Sequence, residues 1–342
     1  MRWRDRLRGD PLPWLLEPDP SQSAVRYFAL RDLLSRPEGD GEVKVAKAAI
    51  MQSGPVPAIL AAQAPEGYWV KPGPGYAPKY TGTVWQIIFL AQLGADGNHP
   101  RVRAGCEYLL SHALAQHGGF TVNRTLSTFG HCEAGNLAAA LIDLGYLEDQ
   151  RLQRAVEWQA RMVTGDGIAG PEATDTAERY YKSGTCGPTF ACSGNAGLPC
   201  AWGAVKAMLA LGKVPPAQRT PRMRAAIEHG AKFLLGRDPA VADYPSGWSA
   251  KPSSSWFKLG YPIGYVTDVL QNLEALAALG SAKDKRLANA LALVESKQDA
   301  QGRWKLEYSY NGKMWADIEA KGRPSKWVTL RALRALKAAY GE

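Results

Sequence analysis

Three cysteines, Cys186, Cys192 and Cys200, are separated by five and seven residues along a run rich in Gly, Ser and Pro. Thiolates are soft ligands suited to zinc, and a fourth ligand can come from His131, Asp268 or water. The usual C-x2-C spacing is missing, so other readings stay open: a Cys186–Cys192 or Cys192–Cys200 redox disulfide, a catalytic thiol, or three small buried residues. Upstream, His131, Cys132 and Glu133 offer an imidazole, a thiol and a carboxyl in succession, and Tyr265 precedes Asp268 by about one turn. Groups of these types perform acid–base catalysis when they converge. Singly, an Asp at a helix start is an ordinary cap and a Cys an ordinary core residue.

Aromatic residues accompany these groups. Tyr180 and Tyr181 lie between Arg179 and Lys182, Tyr80 and Trp85 follow Lys79, Trp202 follows Cys200, and Trp327 stands near the C-terminus. Their faces can stabilise a cationic intermediate and contact an apolar substrate, or they can simply fill space.

Only a particular architecture brings such distant residues together. Apolar runs end in glycine at Gly94, Gly145, Gly212, Gly280 and Gly341, where a left-handed residue closes a helix without a Cβ penalty. The segments before them are Ala- and Leu-rich on nearly every face, which predicts helices buried on all sides. More amphipathic segments alternate with them, at 42–62, 101–112, 150–162, 222–235 and 285–297. With an early helix at 24–34 and an outer helix within 3–16, the pattern predicts an all-α fold: an (α/α)6 toroid of six inner and about six outer helices. One domain spans 1–342, with 1–20 as an N-terminal extension or outer helix. Cys132 lies 13 residues before Gly145, Cys200 lies 12 before Gly212, and Asp268 lies 12 before Gly280. Consecutive inner helices would therefore carry all three to one rim of a central cavity, where helix N-termini add positive potential.

The phrase Q-x3-G-x-W occurs twice, from Gln63 through Gly67 to Trp69 and from Gln298 through Gly302 to Trp304, with a worn copy from Gln116 to Phe120. It resembles the QW repeat of squalene and oxidosqualene cyclases, relatives of the protein prenyltransferase β subunits. The run from Gly322 to Leu330, which holds Trp327, is similar to the last inner helix of bacterial cyclase-like proteins. The resemblance implies the six-pair toroid and a structural role for Gln63, Trp69, Gln298 and Trp304. The chain departs from the family where its chemistry lies. It has no Asp-x-Asp-Asp acid, no D-D-x-x-D diphosphate motif and no Asp-x-Cys zinc pair.

Of the 342 residues, 46% are hydrophobic and 21% charged, enough to build a large core. The net charge of +9 is scattered and lacks interleaved aromatics, which argues against nucleic-acid binding. No stretch of 18 apolar residues occurs and the first ten residues are highly charged, so neither a membrane span nor a secretory signal is expected. The expectation is a cytoplasmic protein whose contact with membranes is at most peripheral, and whose oligomeric state the sequence leaves open. The leading functional reading is a terpene-cyclase-like enzyme acting on an isoprenoid or other hydrophobic small molecule by cyclisation, isomerisation or hydration/dehydration. Asp268 would be its general acid, with Cys132, His131, Glu133 and Tyr265 nearby; zinc is the one cofactor considered. A carbohydrate-active lyase, hydrolase or epimerase using Glu133 and Asp268, and a non-catalytic lipid-binding scaffold, are the alternatives.

Overall fold

The computed structural model describes residues 2–168 and 186–341. Six inner helices stand side by side: α2 (Ser23–Phe28, continued by a π-helical turn, Ala29–Leu33), α5 (Thr83–Gln92), α7 (His131–Asp143), α9 (Ala201–Lys213), α11 (Val269–Ala278) and α13 (Lys326–Tyr340). Around them lie α1 (Leu12–Leu16), α3 (Gly41–Ile50), α4 (Pro55–Ala61), α6 (Pro100–His112), α8 (Gln150–Thr164), α10 (Pro221–Leu235) and α12 (Ala288–Ser296). Inner α5, α7, α9, α11 and α13 pack in sequence, each with an outer partner. Phe28 of α2 meets Gly94 at the end of α5, and α2 also packs on α13. The chain ends meet: Trp3 N–H donates to Gly341 O at 3.2 Å, and the Arg6 guanidinium donates to Tyr340 Oη at 2.8 Å. Among the described residues, strands are reduced to two-residue pieces, β1 (Trp304–Lys305) and β2 (Pro324–Ser325), paired antiparallel.

The helix types follow the residues. Every side chain of α5 from Thr83 to Ala91 is buried, as an all-round apolar helix demands. In α8 the buried set Leu152, Ala155, Val156 and Gln159 recurs at helical spacing and leaves the charged face outside. Two expectations need correction. The 42–62 segment is two helices, because Gly54 at φ 78° turns the chain and Pro55 restarts it without an N–H. Gly212 does not end its helix: α9 runs on to Lys213 and stops before Pro215. A Cβ at Gly212 would sit 2.7 Å from that of Ala278, so this glycine serves the close approach of α9 and α11.

The repeated phrase forms the same staple twice. Trp69 Nε1 donates to Ile59 O at 2.8 Å and Trp304 Nε1 to Val294 O at 2.7 Å, each tying the ring to the outer helix before it. Thr83 and Thr329 Oγ1 accept from the Trp69 and Trp304 amides at 3.1 and 3.0 Å, tying each loop to the next inner helix. Gln63 Nε2 donates to Arg101 O at 2.9 Å, and Gln298 Nε2 to Arg6 O at 3.1 Å. The worn copy differs in register from the sequence reading. Its turn bond, Ala115 N–H to Gly119 O, matches Ala64 N–H to Tyr68 O, which puts Leu114 rather than Gln116 in the glutamine place and Phe120 in that of tryptophan.

Residues 260–266, just before α11, cross the inside of the ring. Tyr261 stacks on Trp327 with ring centroids 4.2 Å apart, and its hydroxyl donates to Gln92 O at 2.7 Å. Gln92 exchanges two hydrogen bonds with the backbone of Ile263, and Asn136 Nδ2 donates to Gly264 O at 2.9 Å. Bonds from α5, α7 and α13 thus hold a strap that divides the interior. Tyr261 and Ile263 line a cavity on one side of it, and Tyr265 lines a pocket on the other.

Candidate active site

The larger cavity, ≈ 950 Å³, opens where the inner helices end. Its walls are not greasy. They carry Asp143 with Lys213 at 2.6 Å, Glu274 with Arg331 at 2.7 Å, and Asp32 with Arg334. The expected apolar hollow is instead the smaller pocket, ≈ 160 Å³, at the N-terminal ends of the inner helices. Tyr76, Val84, Trp85, Ile88, Cys132, Glu133 and Tyr265 line it, together with Cys186, Cys192 and Gly194 of the loop before α9.

Glu133 sits in the first turn of α7 and is 7% exposed. Its Oε1 is buried without a hydrogen-bond partner. Burial alone pushes its carboxyl up to about 8, because an apolar surround penalises the charged form. The group is therefore largely a neutral acid at pH 7, able to donate a proton into the pocket. Cys132 borders the same space, and burial followed by the neighbouring Glu133 charge pushes its thiol up to about 12, so it is a poor nucleophile. Burial also raises Tyr265 to about 12, and raises Tyr76. Trp85 anchors its indole N–H on Tyr76 O at 2.8 Å, leaving its ring as pocket wall. At the edge, Lys79 Nζ lies 5.0 Å from the centroid of the Tyr265 ring.

Other expected site residues are occupied elsewhere. Asp268 is the N-cap of α11 and accepts from Gln271 N–H at 2.7 Å, from Gly260 N–H at 3.0 Å and from two Arg331 nitrogens at 3.1 Å each. Buried and paired in this way, it has no free lone pair directed at a cavity, so the geometry gives it a structural role. His131 is likewise a clasp. Gln159 Nε2 donates to its Nδ1 at 2.7 Å, and its Nε2 donates to Gly187 O at 2.8 Å, joining α7, α8 and the thiol loop. Burial lowers its imidazole to about 4, so it stays neutral at pH 7. Trp327 donates to Gln22 Oε1 at 2.6 Å inside the core. Tyr80 packs between Trp85 and Tyr310, and Trp202 meets the edge of Tyr265 at 5.8 Å; neither is part of the pocket wall. Tyr180 and Tyr181 lie outside the described residues.

The three clustered thiols do not form a cage. Cys192 faces Cys186 across an antiparallel bridge, and the Cys200 N–H bond to Phe190 O brings Cys200 alongside, a chain of thiols. Among the described residues, no three His, Cys, Asp or Glu side chains are placed to hold a metal ion. Sequence reading missed Lys206, whose ammonium is buried on α9 against Gln271 Oε1 and Val266 O. Burial lowers it to about 7. A lone lysine inside an Ala- and Leu-rich inner helix was the available signal. Asn136 was missed too; with Ile88 it borders both cavities.

Among the described residues, no helix is long and apolar enough to cross a membrane. No family model matches the chain, and no curated protein does. Similar solved structures include the type II terpene cyclase MstE from Scytonema, at 13% identity and a TM-score of 0.28, over 83% of this chain and 95% of that one. A variant of that cyclase in complex with geranylgeranyl dihydroxybenzoate is similar at 14% identity and a TM-score of 0.32, over 83% and 94%. A protein from Actinoplanes is similar at 17% identity and a TM-score of 0.31, over 85% and 99%. Likeness at these values assigns neither family nor chemistry, so the all-helical ring stands on this chain's own helices and contacts.

Proposed function

We propose that this protein is an acid-catalysing enzyme for an unsaturated hydrophobic molecule of the isoprenoid type, with Glu133 as the proton donor. The observation that carries the reading is a buried carboxyl with an unpartnered oxygen, bordering an aromatic pocket. Glu133 would protonate a terminal alkene or epoxide, leaving a carbocation over the faces of Tyr76, Trp85 and Tyr265. Loss of a proton, attack by water or ring closure would then give isomerisation, hydration or cyclisation. Allowing ~30 Å³ per water-sized group, a pocket of ≈ 160 Å³ admits about five non-hydrogen atoms, the size of one isoprene unit. The substrate would therefore enter end-on, with its remainder outside.

The alternatives gain less. Glycoside chemistry needs two working carboxyl groups flanking one bond, and Asp268 is held by Arg331. A purely structural scaffold has no use for a buried carboxyl that lacks a partner, a feature that costs stability. The test is turnover of prenyl alcohols and terminal prenyl epoxides of two to four isoprene units in heavy water, with products read by mass spectrometry. The wild-type chain is expected to give deuterated or cyclised product, and Glu133→Gln to lower the rate at least ~100-fold while folding normally. Turnover by Glu133→Gln within twofold of wild type would remove Glu133 from the mechanism.

A further inference from the structure

The thiol chain takes no part in this acid chemistry. Cys186 and Cys192 face each other in an antiparallel bridge. Gly187 N–H donates to Ala191 O at 2.9 Å just inside the pair, so the cysteines occupy a non-hydrogen-bonded position. Facing Cα atoms there approach to ~4.5 Å with side chains at their closest, within the ~4.4–6.8 Å that a disulfide spans. The loop is tied at both ends: Cys192 N–H donates to Leu198 O at 3.2 Å, and Cys200 N–H to Phe190 O at 2.9 Å, which carries Cys200 to the other side of Cys192. Cys192 is partly exposed, whereas Cys186 is buried. Hydrogen bonds from Cys186 first and Cys200 second hold the Cys192 thiol well below its ordinary range, the condition for an attacking thiolate.

We infer that Cys186, Cys192 and Cys200 form an oxidisable modification site that takes small-molecule disulfides of the glutathione class. The Cys192 thiolate attacks one sulfur of the small disulfide; a Cys192–S bond forms, the S–S bond breaks and one small thiolate leaves. Cys186 passes its proton to the small thiolate just released and attacks the Cys192 sulfur, forming the Cys186–Cys192 disulfide and expelling the second small thiolate, which takes a proton from solvent. Two protein thiols are oxidised and one small disulfide is reduced to two thiols, so electrons and atoms balance. Cys200 stabilises the attacking thiolate and is the exchange partner when Cys186 is absent. Because Cys186 and Cys192 border the pocket beside Glu133, the bond would fix one wall of that pocket. The inference stands apart from the acid role of Glu133.

The test uses the full chain equilibrated with reduced and oxidised glutathione at stepped ratios, quenched in acid, denatured, alkylated and weighed intact, with fragmentation to place any crosslink. The five alkylatable thiols are expected to fall to three in one step, with the bond between Cys186 and Cys192 and oxidation at least ~10-fold faster than in urea-unfolded chain. Cys192→Ser is expected to keep all its thiols, and Cys186→Ser to give a Cys192–Cys200 bond or a glutathione adduct on Cys192. The inference is overturned if five thiols persist under a large excess of oxidised glutathione. It fails equally if Cys192→Ser still loses a pair, or if folded and unfolded chains oxidise at one rate.

Discussion

Glu133 and Asp268 show how two carboxyls at the N-terminal ends of inner helices, one in the first turn and one at the cap, acquire opposite roles. Asp268 receives two backbone N–H groups and a guanidinium, while Glu133 Oε1 receives nothing. The pH dependence follows from the raised Glu133 value. The folded chain holds this proton up to about 8, whereas an unfolded glutamate releases it near 4.3. The contribution to stability is thus fully present below the unfolded value and is lost as pH rises through 8. Comparison with Glu133→Gln isolates this effect from other titrating groups. The variant is expected to gain stability relative to wild type between pH 5 and pH 8.5, by up to about 4 kcal/mol, read from urea unfolding at each pH. A stability difference that is flat with pH would contradict the buried neutral acid. Asp268 carries a prediction through its partner. Arg331→Leu strands two carboxylates and should cost about 3–5 kcal/mol, while leaving the pocket residues in place. A loss below 1 kcal/mol would mean that the pair is not the lock described here.

At the scale of elements, the two Gln–Gly–Trp staples join α4 to α5 and α12 to α13. Trp69 and Trp304 are completely buried. Their truncation to Ala should cost about 3–5 kcal/mol each, and Trp304→Phe less, since it keeps one aromatic ring while losing the bond to Val294 O and the volume of the fused second ring. Equal losses for Phe and Ala would show that ring volume is not what the staple supplies. These staples were legible from sequence because the spacing repeats and each residue type has one job. The left-handed glycines Gly94, Gly145 and Gly280 were legible for the same reason. Gly212 was not, since close helix approach and helix termination use the same residue, and only Ala278 distinguishes them. The strap at 260–266 was hidden as well. Its partners Gln92, Asn136 and Trp327 come from three helices far apart in the chain, and no local pattern marks them.

Across the whole molecule, alternation of apolar and amphipathic helices predicted the ring, and the bond from Trp3 to Gly341 joins its two ends. Position along the inner helices put Cys132, Cys200 and Asp268 on one rim; of these only Cys132 borders the pocket, where Glu133, Tyr265, Cys186 and Cys192 join it. Height in the ring was legible, but direction was not. Rotating a side chain about its helix axis decides whether it meets a cavity, as Glu133 does, or a neighbouring guanidinium, as Asp268 does. The charged character of the larger cavity was unreadable for a related reason: Asp143, Lys213, Glu274 and Arg334 look like ordinary outer-face charges until the ring closes around them. The central claim, that the apolar end of this ring keeps a carboxylic acid neutral for proton donation, is tested most directly by isotope-edited infrared titration of the folded chain, with Glu133→Gln to assign the band. A protonated carboxyl band that persists at pH 7, titrates near 8 and disappears in the variant is the predicted result. A Glu133 carboxylate already formed by pH 6 would contradict it.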